Sequence, residues 1–155
     1  MVESVWDYPR PPRVEPLRAH ARVVVDGVTI AESGGALRVL ETSHPPVIYF
    51  PPADVRIAEY LRPANGTSFC EWKGTASYFD LIMDRRRIAR VAWTYRRPAA
   101  AYVELQGHLA FYPGRVDACF IGDERVRAQA GDFYGGWITA GITGPFKGEP
   151  GTGGW

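Results

Sequence analysis

A mainly β fold is what this sequence predicts, and three observations predict it. Thirteen prolines and 17 glycines punctuate the 155 residues. Proline removes a backbone donor and glycine is entropically costly inside a helix, so long helices are excluded. Aromatic residues reach 13%, and together with the β-branched residues they suit a half-buried pleated surface. Short runs of alternating or wholly apolar residues recur between turn signals, the pattern of short strands.

Taken in order, residues 1–17 read as an extended arm. Pro9, Pro11, Pro12 and Pro16 forbid helix there, while Trp6 and Tyr8 offer apolar surface to pin it down. Residues 18–148 form the single domain, and 149–155 are expected to be a flexible tail. Alternation over 20–25, the turn pair Asp26-Gly27 and a return over 28–32 predict a hairpin. A third strand is expected over 36–42. Val47-Ile48-Tyr49-Phe50, closed by Pro51-Pro52, reads as a buried strand. Apolar spacing over 54–61 predicts one or two helical turns, and Pro63 to Gly66 a loop. Strands follow over 67–72, 77–83 and 88–95, the last two joined by a solvated tip, Asp84-Arg85-Arg86-Arg87. In the strand over 88–95, Trp93 and Tyr95 are expected to share a core face with Val91. Residues 98–106 predict a short helix stopped by Gly107. Strands over 108–112, 118–121 and 125–128 complete the pattern, with Cys119 in the core.

Composition excludes several functions. With 18 basic and 17 acidic residues the net charge is +1, which supplies no field to gather nucleic acid or an anionic membrane. No apolar run approaches the roughly 20 residues of a membrane span. The opening residues are acidic and aromatic rather than basic then apolar, so no secretory signal is expected. Two isolated cysteines, Cys70 and Cys119, make no disulfide framework, and a reduced cytoplasmic compartment is expected.

No phosphate-binding loop, dinucleotide fingerprint or nucleophile elbow is present. The three histidines show no metal-ligand spacing and no C-x-x-C occurs, so neither a metal nor a cofactor is expected. One segment joins reactive groups to aromatic walls: Phe69-Cys70-Glu71-Trp72-Lys73-Gly74. On a strand, Cys70 and Trp72 face one side, and Glu71 and Lys73 the other, where they would form an ion pair. A buried Lys73 would instead become a base or nucleophile. His44 stands at a rigid corner before Pro45-Pro46, where loops place functional side chains. Tyr49, Tyr78, Tyr95, Tyr112 and Tyr134 provide hydroxyls for a pocket also walled by Trp72 and Trp93.

Glu3-Ser4-Val5-Trp6-Asp7-Tyr8-Pro9-Arg10-Pro11-Pro12, Glu41-Thr42-Ser43-His44-Pro45-Pro46, Cys70-Glu71-Trp72-Lys73-Gly74, Phe111-Tyr112-Pro113-Gly114-Arg115-Val116-Asp117 and Phe133-Tyr134-Gly135-Gly136-Trp137 carry a resemblance. Over residues 3 to about 148 the chain resembles the bacterial family called domain of unknown function 427. That resemblance implies a β-tent fold, two small antiparallel sheets leaning together over a groove, with one or two short helices. Many β-tent proteins hold zinc through two cysteine pairs, which this chain lacks, so no zinc role carries over. The family has also been labelled nucleotidyltransferase-like, but no glycine-serine with paired aspartates supports that chemistry here.

Three functions follow as expectations. The first is a small-molecule binding domain whose groove is lined by Tyr49, Trp72, Tyr78, Trp93, Tyr95 and Tyr112, with polar contacts from His44, Cys70, Glu71 and Lys73. The second is an enzyme using Lys73 or Cys70 with His44 or Glu71. It requires those groups within hydrogen-bond reach. The third is a protein-interaction module built on exposed Trp6, Tyr8 and Trp155.

Overall fold

The computed structural model describes residues 2–131 and 133–152. In chain order they form β1 (Glu3–Ser4), a 3-10 turn (Val5–Asp7), β2 (Arg13–Pro16), β3 (Ala21–Val25), β4 (Val28–Ser33), β5 (Leu37–Leu40) and β6 (Val47–Phe50). A 3-10 turn (Pro52–Asp54) and α1 (Ile57–Tyr60) lead into β7 (Leu61–Cys70), β8 (Gly74–Met83) and β9 (Arg86–Thr94). A 3-10 segment (Ala100–Leu105) precedes β10 (Leu109–Phe111), β11 (Ala118–Ile121), β12 (Glu124–Arg125), β13 (Arg127–Ala128), β14 (Trp137–Ile138) and β15 (Ile142–Thr143). The fold is mainly β, with several antiparallel sheets and none of them closed.

A seven-stranded sheet runs β2-β5-β6-β10-β9-β8-β7, and a four-stranded sheet runs β12-β11-β3-β4. Every pairing within these two is antiparallel. The hairpin of β3 and β4 turns at Asp26 and Gly27, both at positive φ (50° and 74°), as a primed two-residue turn requires.

Side-chain alternation sorts the central strands chemically. Ile48, Phe50, Leu81, Leu109 and Phe111 pack with Val23, Ile30 and Cys119 of the smaller sheet, and Trp137 seals this intersheet core. The alternate residues Tyr49, Tyr78, Trp93 and Ala110 cluster with Tyr95 and Tyr112 on the outer face, under Tyr102 and Leu105 of the 3-10 segment. One face is largely aliphatic, and the other is aromatic and carries hydroxyls.

Four local expectations need correction. Pro63 to Gly66 is no separate loop but lies within β7, where the ladder breaks between Pro63 and Thr67. Proline lacks the donor, and an edge strand tolerates it. The alternation expected through 67–72 ends early, because the strand stops at Cys70 and 71–73 form the turn to β8. Val91 does not share a face with Trp93 and Tyr95; it packs into the intersheet core. Arg90, at φ 49°, lies where the pairing of β8 with β9 shifts register, and its N–H is taken by Asp80. The tip is also not wholly solvated: Arg86 begins β9 and its Nη1 donates to Asp26 (2.7 Å) and Asp117 (2.8 Å).

The arm is docked. Val5 and Tyr8 are buried with Leu40, Ile138 and Phe146, and β1 pairs with β15. Arg38 clamps it, donating two 3.0 Å bonds to the Glu3 carboxylate and one to Glu15. Those bonds from Arg38 hold the Glu3 carboxyl below its usual range. Trp6 is exposed while its Nε1 donates to the Pro145 carbonyl. Of the expected tail, Thr152 is buried and its hydroxyl donates to the Glu149 carbonyl, whereas 153–155, including Trp155, lie outside the described residues.

Phe111 is fully buried against Phe50 with ring centroids 5.9 Å apart. Phe111→Ala should therefore destabilise the fold by about 3–5 kcal/mol, read as a lowered denaturant midpoint.

Candidate functional site

The outer, aromatic face of the seven-stranded sheet is covered at one end by the 3-10 segment and left open at the other. There a cavity of about 220 Å³ remains. Its floor is built by strand alternation. Tyr49 stands edge-on to Trp93 (6.2 Å between centroids, 87°), and Trp93 in turn contacts Tyr112 at 4.6 Å. The Trp93 indole N–H donates to the Tyr49 hydroxyl (3.2 Å), and Tyr78 shares a 2.8 Å hydrogen bond with Ser68. Burial pushes the Tyr49, Tyr95 and Tyr112 phenols far up, so all three remain neutral.

Three chain segments wall this floor. The β7–β8 hairpin contributes Phe69, Cys70 and Lys73. The stretch after β5 brings Glu41, His44, Pro45 and Val47, and the C-terminal part brings Gln129, Phe133, Tyr134, Gly135 and Lys147. Phe69 and Phe133 are strongly exposed at the rim.

Lys73 sits in the hairpin turn. Its carbonyl accepts from the Ala99 N–H (2.8 Å), and Gly74 takes φ +109°, a region closed to most side chains. This holds Lys73 at 8% exposure with its Nζ 5.9 Å from the centre of the Tyr95 ring. Among the described residues no carboxylate pairs with it and no hydrogen bond reaches its amine. The ion pair expected with Glu71 does not form, because both residues lie on a turn rather than a strand, and Glu71 is solvent-exposed.

Gln129 ties the remaining walls together. Its amide nitrogen donates to the Lys147 carbonyl (2.7 Å) and lies 3.3 Å from His44 Nδ1, and its amide oxygen accepts from the Gly136 N–H (3.1 Å). The His44 ring packs edge-on to Tyr134 at 5.2 Å, with Nε2 3.8 Å from Glu41, whose charge is shared with Arg10 at 3.9 Å. Burial, reinforced by the charges of Lys147, Arg10 and Lys73, lowers the His44 pKa to about 4. His44 is therefore a neutral imidazole at pH 7.

The cavity thus gathers His44, Cys70, Lys73, Tyr49, Tyr78, Trp93, Tyr95 and Tyr112. Two expected residues lie elsewhere. Glu71 points away on the turn, and Trp72 is half-buried against the aromatic cluster without lining the space. Because the strand ends at Cys70, Cys70 and Lys73 share the cavity instead of facing opposite ways. No hydrogen bond among the described residues joins Lys73 to Cys70 or His44. Tyr134, whose hydroxyl was expected at a pocket, also lines the cavity, whereas Gln129, Phe133, Gly135 and Lys147 were not among the expected site residues. Gln129 and Lys147 stand in no motif, and only the Phe133-Tyr134-Gly135-Gly136 block carried a signal.

Among the described residues no three His, Cys, Asp or Glu side chains converge as metal ligands, and no helix is long and apolar enough to cross a membrane. The family model described as a domain of unknown function (DUF427) matches residues 13–122, and the chain belongs to that family. The match holds the floor and the β7–β8 wall, while the wall from Gln129 to Lys147 lies beyond it. Curated proteins give no match.

Two outcomes are expected. His44, lowered to about 4, contributes stability that is complete above pH 6.5 and is lost as pH falls toward 4. The unfolding free energy should fall across that window by up to about 3 kcal/mol, read from denaturant titrations at each pH, and His44→Gln should flatten this dependence. A Cβ at Gly135 would lie 2.3 Å from the Trp93 ring, so Gly135→Ala should destabilise by about 1–3 kcal/mol and shift the Trp93 indole NMR signal.

Proposed function

We propose that this domain binds a small molecule with a flat apolar body in the cavity on the outer face of the seven-stranded sheet. One observation carries the reading: Tyr49, Trp93, Tyr95 and Tyr112 surround open space of about 220 Å³ rather than packing it shut. Ligand pockets are largely apolar, with a few polar groups aimed inward. Here those groups are Lys73, the tyrosine hydroxyls and His44. The exposed rings of Phe69 and Phe133 extend the aromatic wall to the mouth, where a planar ligand would enter. The interaction-module reading loses support, since Tyr8 is buried in the fold. Free thiols at Cys70 and Cys119 support a reducing, cytoplasmic setting. The two main sheets are read as the β-tent arrangement of the resembling bacterial family.

A second reading rests on His44, Cys70 and Lys73 bordering one cavity: an enzyme in which neutral His44 serves as base. It would require a ligand to bridge these groups, since they do not touch one another. Borohydride trapping of an aldehyde on Lys73 would support it, and trapping undiminished in Lys73→Met would count against it.

For the binding reading, aromatic fragments should be titrated while the Trp93 indole N–H signal, assigned through Trp93→Phe, is followed by NMR. Saturable shifts at that signal are expected, with affinity reduced about tenfold or more in Trp93→Ala. Shifts confined to other parts of the protein would refute this placement of the ligand.

A further inference from the structure

Resting on the binding reading above, we infer that the ligand is an aromatic monocarboxylate whose charged group sits against the Lys73 amine. Lys73 is more than nine-tenths buried, borders the cavity, and has neither a carboxylate nor a hydrogen-bond acceptor within reach among the described residues. Its amine meets the face of the Tyr95 ring at 5.9 Å, near the outer limit of a cation–π contact. An ammonium at the edge of an apolar cavity, where the effective dielectric is below that of bulk water, gains more from a counter-ion than one in open solvent does. A protein that merely needed to fill this space would be better served by methionine. An anion entering the cavity supplies the missing partner.

The surroundings define the anion's charge and shape. Glu41, an acidic group on the cavity wall, is paired with Arg10 at 3.9 Å. Lys147 belongs to the opposite wall, with its amine 5.6 Å from the Tyr134 ring, and unlike Lys73 it is not without a further partner. That leaves the single charge of Lys73 to be matched, which fits a monoanion. Phosphate sites use helix N-termini, backbone cradles or forked arginines, and among the described residues no arginine lines this cavity. The buried phenols keep their protons and so remain hydrogen-bond donors toward a carboxylate oxygen. Trp93, Tyr95 and the rim rings Phe69 and Phe133 take an aromatic body.

The test compares naphthoate with naphthamide, its neutral isostere, on the full chain by calorimetry and the Trp93 indole signal. Wild type should bind naphthoate about tenfold tighter or more, the worth of one charge-assisted hydrogen bond. Lys73→Met should bring naphthoate down to the amide's affinity, leave the amide unchanged, and leave the unliganded melting temperature unchanged or higher. Lys73→Arg should keep most of the preference, which provides a folded control if the methionine variant is unstable. Equal binding of the two probes to wild type would overturn the anion assignment while leaving the binding domain standing. A preference that survives Lys73→Met would overturn the role of Lys73. Binding of neither probe would overturn both readings.

Discussion

Everything else in this protein depends on a seven-stranded sheet that buries both faces in its central strands. A sheet covered on one side alternates apolar with polar residues. Here the alternation is between two kinds of apolar residue. Ile48, Phe50, Leu109 and Phe111 serve the contact with the smaller sheet, and Tyr49, Trp93 and Tyr112 serve the outer face. Large rings with polar tips need partners for their hydroxyls. The outer face is accordingly a network, with Trp93 bonded to Tyr49 and Tyr78 to Ser68. A surface of that kind is closed only where the 3-10 segment covers it, and the uncovered remainder is the cavity.

The cavity's walls come from sequence-distant segments, and Gln129 is what brings two of them into register. Its single amide serves the loop of His44, the carbonyl of Lys147 and the N–H of Gly136. A backbone hydrogen bond from Lys147 to the Ser43 carbonyl reinforces the same junction at 2.8 Å. Gly135 then lets the chain pass against the Trp93 ring, where no side chain has room. A rigid floor on sheet strands with walls on connecting segments is an arrangement in which the walls carry specificity.

Much of the architecture was legible because it follows from local rules. The Asp26-Gly27 turn, the apolar Val47–Phe50 strand and the short helical segment before Gly107 were all readable from residue type and spacing. The failures share one cause, since a period of two is informative only while a strand continues. The hairpin turn after Cys70 rotates Lys73 into the cavity and Glu71 out of it, and the irregularity at Arg90 puts Val91 on a different side from Trp93. The aromatic floor could be named from sequence because large rings in strands must be buried somewhere. Gln129 and Lys147 could not, because a glutamine in a loop acquires meaning only from what tertiary packing brings beside it.

The position of Lys73 shows how the site is separated from the needs of folding. The intersheet core is complete without the hairpin turn, so the charge there burdens a peripheral element and not the core. The turn is still held firmly, by the Ala99 hydrogen bond and by the conformation of Gly74. A flexible lysine on a mobile loop would reach solvent and be satisfied there. Fixing the backbone beneath it keeps the amine at the cavity instead, 5.9 Å from the Tyr95 ring. The charge is thus positioned before any ligand arrives. A pre-organised charge of this kind converts into affinity when an oppositely charged group enters.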